Sequence, residues 1–506
     1  MPAMNASEVT TRNDPRVTEH FDLLIIGAGL SGIGAAVHLK RGRPKATFAI
    51  LEARETIGGT WDLFRYPGIR SDSDMYTLGY SFKPWKEEKA IADGPAILHY
   101  IEETARENGV DRLIRYGHRV VSASWSSDAA RWTVEAERPS SKPGSKDGPK
   151  STVRLSCNFL QVCTGYYDYD AGYTPDFPGI ARFKGQVVHP QKWTNDIDYA
   201  GKRVVVIGSG ATAVTLVPEL TKRAAHVVML QRTPTYVMSR PAEDAVANAL
   251  RHKLPPKLAY SLSRWKNVLL SMLMYEFSQR RPAPTKKWVI DQTQKALGPD
   301  FDVAKHFTPT YGVWDQRLCL VPDNDLFDVI RAGSASVVTE HIETFTETGI
   351  RLASGEELKA DLVVTATGLV LKFAGGMKLV VDGRPVEPSK LLNYKGAMFS
   401  DVPNMACTFG YTNASWTLKA DLTSEYLLRL LRHMDAIGAH RCTPRRHDPT
   451  IREEPFFGLT SGYVQRALSA LPKQGSKRPW RLYQNYLLDL FTLRFDPIDD
   501  GTMEFV

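Results

Sequence analysis

A chain of 506 residues with 43% apolar and 24% charged residues has room for two or three globular domains, and this composition excludes a disordered, collagen-like or disulfide-scaffold protein. Its net charge of +8 is spread along the sequence without a basic stripe or interleaved aromatics, so a nucleic-acid partner is not expected. The five cysteines (Cys157, Cys163, Cys319, Cys407 and Cys442) include no CxxC pair, and no apolar run approaches the ~18 residues that span a bilayer, so the expected location is a reducing cytoplasm.

Residues 1–20 are polar and are expected to form a flexible tail without a signal peptide. The apolar run at 21–26 predicts a strand, and Gly27-Ala28-Gly29-Leu30-Ser31-Gly32 follows it directly. In such a turn Gly27 allows the sharp exit from the strand, Gly29 lets the backbone approach a pyrophosphate, and Gly32 lets the next helix pack closely. The helix N-terminus then offers free N–H groups to the phosphates. A second strand at 47–51 ends in Glu52, where a carboxylate is placed to bond ribose hydroxyls. Residues 138–150 are turn-rich and charged, and predict a mobile hairpin tip. A strand at 159–163 ends in Thr164-Gly165, a phrase that recurs at Thr367-Gly368.

The second fingerprint is Gly208-Ser209-Gly210-Ala211-Thr212, directly after the apolar run 204–207. Its following strand, 226–230, leads not to an acid but to Gln231-Arg232-Thr233. A carboxylate there would repel a 2′-phosphate, whereas the planar, permanently charged fork of Arg232 with Thr233 beside it suits one. NADPH is therefore expected over NADH, with a solvated loop arginine as the alternative for Arg232. Two dinucleotides in one chain imply electron transfer between them. Residues 241–307 read as a helical excursion. Within it, the apolar stretch 264–277 and the basic residues Arg280, Arg281, Lys286 and Lys287 suit a membrane surface, or a helix packed on its own domain or a partner subunit.

The expected fold is α/β, with two Rossmann-like dinucleotide-binding domains and the helical excursion. The two strand ends with Thr-Gly resemble those that close the dinucleotide domains of flavoprotein oxidoreductases, which implies that residues 21–170 are the first part of an FAD domain, 171–350 an NADPH domain containing the excursion, and 351–506 the second part of the FAD domain with a C-terminal segment.

At this point the motifs resemble the Baeyer–Villiger flavin monooxygenases. Phe183, Gly185, His189 and Trp193 match that family's F-x-G-x-x-x-H-x-x-x-W fingerprint, with Thr194 where Pro or Asp is usual. Residues 58–72, Gly-Gly-Thr-Trp through Tyr-Pro-Gly to Asp72, match its G-G-x-W-x(4)-Y-P-G-x(3)-D motif. Residues 314–322, 410–419 and 471–480 are similar to the branch that contains the mycobacterial ethionamide-activating monooxygenase. The resemblance spans about residues 21–486.

It implies that NADPH reduces FAD, that O2 adds to give a C4a-peroxyflavin, and that this oxidant converts a ketone into an ester or lactone and also oxygenates sulfides. The implied partners are a small ketone or sulfide and O2, with oligomerisation open and no metal. By the same resemblance Arg317 is the active-site arginine, Asp72 its orienting acid beside the FAD, and Gln316 a neighbour of the NADP. NADP phosphate binding alone is the alternative for Arg317, and a helix cap in 71–74 is the alternative for Asp72, with Asp74 a competitor. His189 and Trp193 are implied at the domain junction, with a structural histidine as the alternative. Trp61 lines the flavin or substrate pocket or packs in the core. The 471–480 loop either orders over nucleotide or is a solvated linker. The rivals are an N- or S-oxygenating flavin monooxygenase without ketone activity and a non-catalytic flavoprotein-fold scaffold. A disulfide reductase needs a dithiol, and residues 58–72 hold no Cys.

Overall fold

The computed structural model describes residues 19–138, 151–316 and 318–506. The expected tail up to residue 18, the hairpin tip at 139–150 and Arg317 therefore lie outside the described residues. Strand β1 (Glu19–Ile26) begins inside the segment expected to be tail, because its first two residues already pair with the neighbouring strand. Leu23, Leu24, Ile25 and Ile26 are all buried, as in a parallel strand covered on both faces. Helix α1 (Leu30–Gly42) returns along one of those faces, and β2 (Phe48–Leu51) pairs with β1 in parallel.

Two short helices, α2 (Thr60–Leu63) and α3 (Met75–Leu78), and the longer α4 (Gly94–Glu107) lead to β3 (Ile114–Arg115). Strands β4 (Arg119–Ser126), β5 (Arg131–Arg138) and β6 (Ser151–Val162) form an antiparallel meander, and β6 closes against β1 in parallel. Strand β7 (Tyr167–Gly172) then leaves this unit.

The second sheet contains β8 (Gln186–Val188) and β9 (Arg203–Ile207), followed by helix α5 (Ala211–Leu220) and β10 (His226–Gln231). A small strand, β11 (Val237–Arg240), precedes the excursion α6 (Ala245–Lys253), α7 (Pro256–Arg280), α8 (Pro282–Leu297) and α9 (Val303–His306). The chain returns through β12 (Cys319–Pro322), which pairs with β11 in parallel, then α10 (Asp325–Arg331) and β13 (Ala335–Thr339). A three-stranded antiparallel ribbon of β14 (Ile342–Phe345), β15 (Gly349–Leu352) and β16 (Glu357–Lys359) feeds β17 (Leu362–Thr365). The sheet order is β13-β10-β9-β17-β8, and every pairing in it is parallel.

The second unit therefore continues past residue 350, where the sequence reading had ended it. Leu362–Thr365 is wholly buried and pairs with β9 and β8, so these residues belong to the second sheet and not to the first. The two Thr-Gly phrases accordingly end one strand in each sheet, β6 and β17. Strand β18 (Leu369–Leu371) pairs antiparallel with β7, so the chain enters and leaves the second unit along one ribbon. The first sheet is then completed by β19 (Lys378–Val381), β20 (Arg384–Pro385) and the strand Met405–Cys407. Helix α11 (Trp416–Ile437) packs on α1.

Within the excursion α8 and α9 stay on the second unit, but α7 packs on the first. Tyr260 Oη donates to Tyr80 O at 2.9 Å, and Arg264 Nη1 donates to Tyr76 O at 2.9 Å and Gly79 O at 2.7 Å. No described helix is long and apolar enough to cross a membrane. All five thiols are buried, and no disulfide joins them.

Candidate active site

The first Gly-rich turn is built by backbone contact. Gly27 has φ +103°, and a Cβ there would sit 2.6 Å from Cys163 O. A Cβ on Gly32 would sit 1.9 Å from Gly27 O, so the start of α1 is pressed against the turn. Gly29 bridges Gly58 of the opposite loop, and the two backbones face each other with no side chain between them. Helix α1 has no side-chain N-cap and no acid in its first turn. An uncapped helix end at a glycine-lined slot is a pyrophosphate cradle, and it fits the dinucleotide that the sequence implies.

Glu52 is buried and turned toward this turn. Its Oε2 accepts from Ala28 N at 2.7 Å and its Oε1 from Arg54 N at 2.9 Å. Burial raises its pKa above the usual carboxylate value, with the two N–H donors opposing the rise. The carboxylate thus fixes the turn, and each oxygen keeps a lone pair for a ribose hydroxyl.

Residues 58–72 form a strap between the two units. At its start Asp62 accepts from Arg54, from Thr56 and, at 2.7 Å, from Arg65 Nη2. Trp61 is half-buried and packs against the core of the first unit. Further along, Phe64 and Tyr66 join the core of the second unit. Tyr66 hydrogen-bonds the side chain of Thr212 at the start of α5, and burial pushes its hydroxyl up to about 12. Gly68 lies against Thr215 and Glu219 of the same helix. Arg70 Nη1 donates to Asp325 Oδ2 at 2.6 Å, which ties the strap to α10. The strap therefore runs from the first nucleotide turn to the helix that opens at the second.

The cap role weighed for Asp72 falls to Asp74. Asp74 is the N-cap of α3, accepting from Thr77 N at 3.0 Å and from Asn267 Nδ2 at 3.0 Å. Asp72 lies outside the helix, and its charge helps to raise the pKa of the Tyr66 hydroxyl.

The second Gly-rich turn is more open. Gly208 has φ +134°, and a Cβ there would meet Ala366 O at 2.4 Å, but a Cβ on Gly210 would meet nothing within 4 Å. Helix α5 also lacks a side-chain cap and a first-turn acid. Ser209 Oγ lies 2.7 Å from Thr235 Oγ1 and donates to Thr233 O at 3.4 Å, so the strand-end loop carrying Arg232 and Thr233 lies beside the turn. Arg232 and Thr233 are exposed. Gln231 is buried and points inward, donating to His306 O at 2.7 Å and Thr339 Oγ1 at 2.8 Å, so it anchors α9 and is not directed at a ribose.

The fingerprint residues divide in two. Phe183 packs in the second unit against Phe345, and Gly185 is pressed against Asp361 O. His189 lies on the connecting ribbon: its Nε2 donates to Gly368 O at 3.2 Å, and its Nδ1 accepts from Gln191 N at 3.2 Å. A Cβ on Gly172 of β7 would overlap the His189 ring. Burial lowers the His189 pKa below its ordinary value. Trp193 is buried edge-on to Tyr199.

The loop that carries position 317 is pinned on both sides. Trp314 has φ +77° and stacks edge-on with Tyr275 of α7 at 5.6 Å. Asp315 Oδ2 accepts from Gly312 N at 2.7 Å, and Asp315 O accepts from Thr460 N at 2.8 Å. Gln316 bridges Val313, and on the far side Cys319 N donates to Tyr236 O at 3.0 Å as β12 begins. A narrow cleft of about 10 Å3 lies beside Tyr275, lined by Val268, Met272, Tyr275, Ala414, Leu418 and Tyr486 among others.

Tyr275 was not singled out from sequence, since an isolated tyrosine in a helical run gives no signal. Trp416 joins two of the sequence motifs: its Nε1 donates to Ser31 Oγ at 2.8 Å and its ring stacks on Tyr166 at 5.1 Å. The 471–480 segment is held by a strand pair between Lys473–Gly475 and Glu453–Pro455. No cluster of potential metal ligands occurs among the described residues.

Comparison with known proteins accords with this arrangement. The model of the flavin-binding monooxygenase-like family matches residues 22–381. The chain is 52% identical over 490 residues to the FAD-containing monooxygenase EthA of Mycolicibacterium smegmatis, covering 97% of this chain and 98% of that protein. Identity to EthA of Mycobacterium tuberculosis is also 52% over 490 residues, with the same coverage. Among solved structures, an oxidized steroid monooxygenase bound to NADP has the same fold, with a TM-score of 0.72 and 23% identity over 96% of this chain and 99% of that one. With most of its length inside the family model and half its residues shared with full-length relatives, the chain belongs to the flavin-binding monooxygenase-like family.

Proposed function

We propose that the protein is an NADPH- and O2-dependent FAD monooxygenase of Baeyer–Villiger type, which inserts oxygen beside a ketone carbonyl to give an ester or lactone and also oxygenates sulfides. The observation that carries this reading is the strap at 58–72. One continuous segment touches the first Gly-rich turn at Gly58 and the second unit's helix at Tyr66 and Gly68, so two nucleotides seated on those turns meet across it. When bound, FAD supplies the redox chemistry by which NADPH and O2 yield an oxygen-transferring species.

The chain's own residues bind and orient. Gly27, Gly29 and Gly32 admit the FAD pyrophosphate to the end of α1, and Glu52 holds the turn in shape. Gly208, Ser209, Gly210 and Thr212 present the end of α5 to the NADPH pyrophosphate, with Arg232 and Thr233 at the 2′-phosphate. Arg317 supplies a fixed positive charge to oxygen atoms that become anionic during transfer, and an arginine cannot lose its proton to them. A unit-charge pair at about 4 Å and an effective dielectric of ~20 is worth roughly 4 kcal/mol, about three decades in rate. Asp72, on the strap, orients that guanidinium, and Gln316 lies beside the nicotinamide nucleotide. His189 and Trp193 set the junction of the two units.

The test is the Arg317→Ala variant assayed against a panel of linear, cyclic and aryl ketones and sulfides. It should stay yellow and consume NADPH while ester formation falls by about three decades. Ester formation at the normal rate would overturn the role of Arg317. Sulfoxide without any ester from the unmodified protein would assign it to N- or S-oxygenation, and a colourless protein that leaves NADPH intact would remove the catalytic reading.

A further inference from the structure

Helix α7 buries polar side chains beside Ala259, Tyr260 and Val268, and leaves a row of large apolar ones outside. Its buried residues include Ser263, Arg264 and Asn267, whereas Leu258, Leu262, Trp265, Leu269, Leu273 and Phe277 are exposed, Leu273 at 68% and Phe277 at 57%. The exposed set recurs every three or four residues, so it forms one stripe along the 25-residue helix. A surface helix of a self-contained domain shows the opposite distribution.

The rotation of α7 is fixed by its inner face. Arg264 donates to Tyr76 O and Gly79 O and lies 3.4 Å from Asp421, while Asn267 Nδ2 donates to Asp74 Oδ1 at 3.0 Å and Asp244 Oδ2 at 3.2 Å. Rolling the leucines inward would strand these buried polar groups. Beyond the contact of Trp265 with Tyr486, at 5.9 Å, the C-terminal helix Tyr486–Phe495 exposes Leu488, Phe491 and Phe495 as well.

The charges flanking the stripe select what covers it. Lys253 and Lys257 are exposed at its start and Arg280 and Arg281 at its end, whereas Lys287 beyond them is paired with Asp291 at 2.6 Å. The one acid on α7, Glu276, lies 3.5 Å from Arg280. A second copy packed antiparallel would set one cationic end against the other, and a parallel copy would set like ends together, so self-pairing opposes positive charges either way. An anionic lipid surface satisfies both ends and accepts the apolar stripe between them.

We propose that α7, with the adjoining C-terminal helix, docks the protein on an anionic phospholipid surface. The leucines enter the headgroup–acyl boundary, and the terminal cations lie among the lipid phosphates. The helix lies on the bilayer and does not span it.

The test is flotation of the full-length, FAD-loaded protein with vesicles of equal parts phosphatidylglycerol and phosphatidylcholine, and with phosphatidylcholine alone. The unmodified protein should float with the anionic vesicles, more weakly with the neutral ones, and less in high salt. Leu269→Glu with Leu273→Glu should lower the partition at least ~10-fold, since each leucine gives up burial, while keeping flavin absorbance and NADPH oxidation. Arg280→Ser with Arg281→Ser should weaken flotation on anionic vesicles and leave that on phosphatidylcholine unchanged. Failure of the unmodified protein to float, or equal flotation of all variants, overturns the proposal. A dimer that the leucine variant turns into a monomer, with flotation unaltered, also overturns it and assigns the face to a second copy.

Discussion

The two Gly-rich turns follow one sequence pattern but are packed differently. The first is closed: Gly27 and Gly32 meet backbone atoms at once, Gly29 faces the loop at Gly58–Gly59, and Glu52 is buried behind them. The second is open: nothing lies near the space a Cβ on Gly210 would fill, and Arg232 and Thr233 stand in solvent. A closed, pre-shaped slot suits a group that stays, and an open one suits a group that arrives and departs. The two turns share one motif and differ in what is packed around them.

That contrast is easiest to break at Gly32. Gly32→Ala would drive a methyl into Gly27 O, 1.9 Å away, and should cost more than about 3 kcal/mol, leaving little or no yellow protein; normal flavin content and thermal stability would show that the first slot is not closed. Glu52→Ala, which strands the Ala28 and Arg54 N–H groups, should cost roughly 2–3 kcal/mol in thermal unfolding and weaken flavin retention. At the open site Arg232→Ala should leave flavin content unchanged while lowering the NADPH/NADH ratio of kcat/KM by roughly 10- to 100-fold, the worth of one charge-assisted contact. Gly210→Ala should stay within about 0.5 kcal/mol of the parent in stability, yet raise the KM for NADPH, because its methyl enters only the nucleotide's path.

The smallest effect concerns the ribbon. The half-buried His189 has a lowered pKa, so the folded chain prefers its neutral form and the unfolded chain takes up the proton first, near 6.5. Its contribution to stability is complete above that pH and is lost as pH falls toward the lowered value. Unfolding temperatures measured between pH 7 and 5 should therefore decline less steeply for His189→Gln than for the parent.

Local chemistry was legible in the sequence. Strand, glycines, helix and acid occur in fixed order, and each imposes its shape without help from distant residues. The limit of the second unit was not. Residues 362–365 are an apolar run that either sheet could bury, and only the pairing with β9 decides. The same holds for Gln231, which by position belongs to the nucleotide but by burial belongs to α9. Asp72 and Asp74 are separated by cap geometry, which two acids in a Ser-Asp-Ser-Asp run do not reveal. The strap's role as a link also rests on long-range contacts, such as Arg70 with Asp325, that no local pattern encodes.

The second unit is threaded into the first through a single doorway, where Lys372 N donates to Tyr166 O at 3.0 Å across the two passing strands. Entry and exit side by side mean that the backbone joins the two units at this one ribbon, while Phe64 and Tyr66 of the strap and the buried bonds of α7 clamp them together away from it, so the inserted unit cannot turn about the ribbon without breaking those contacts as well.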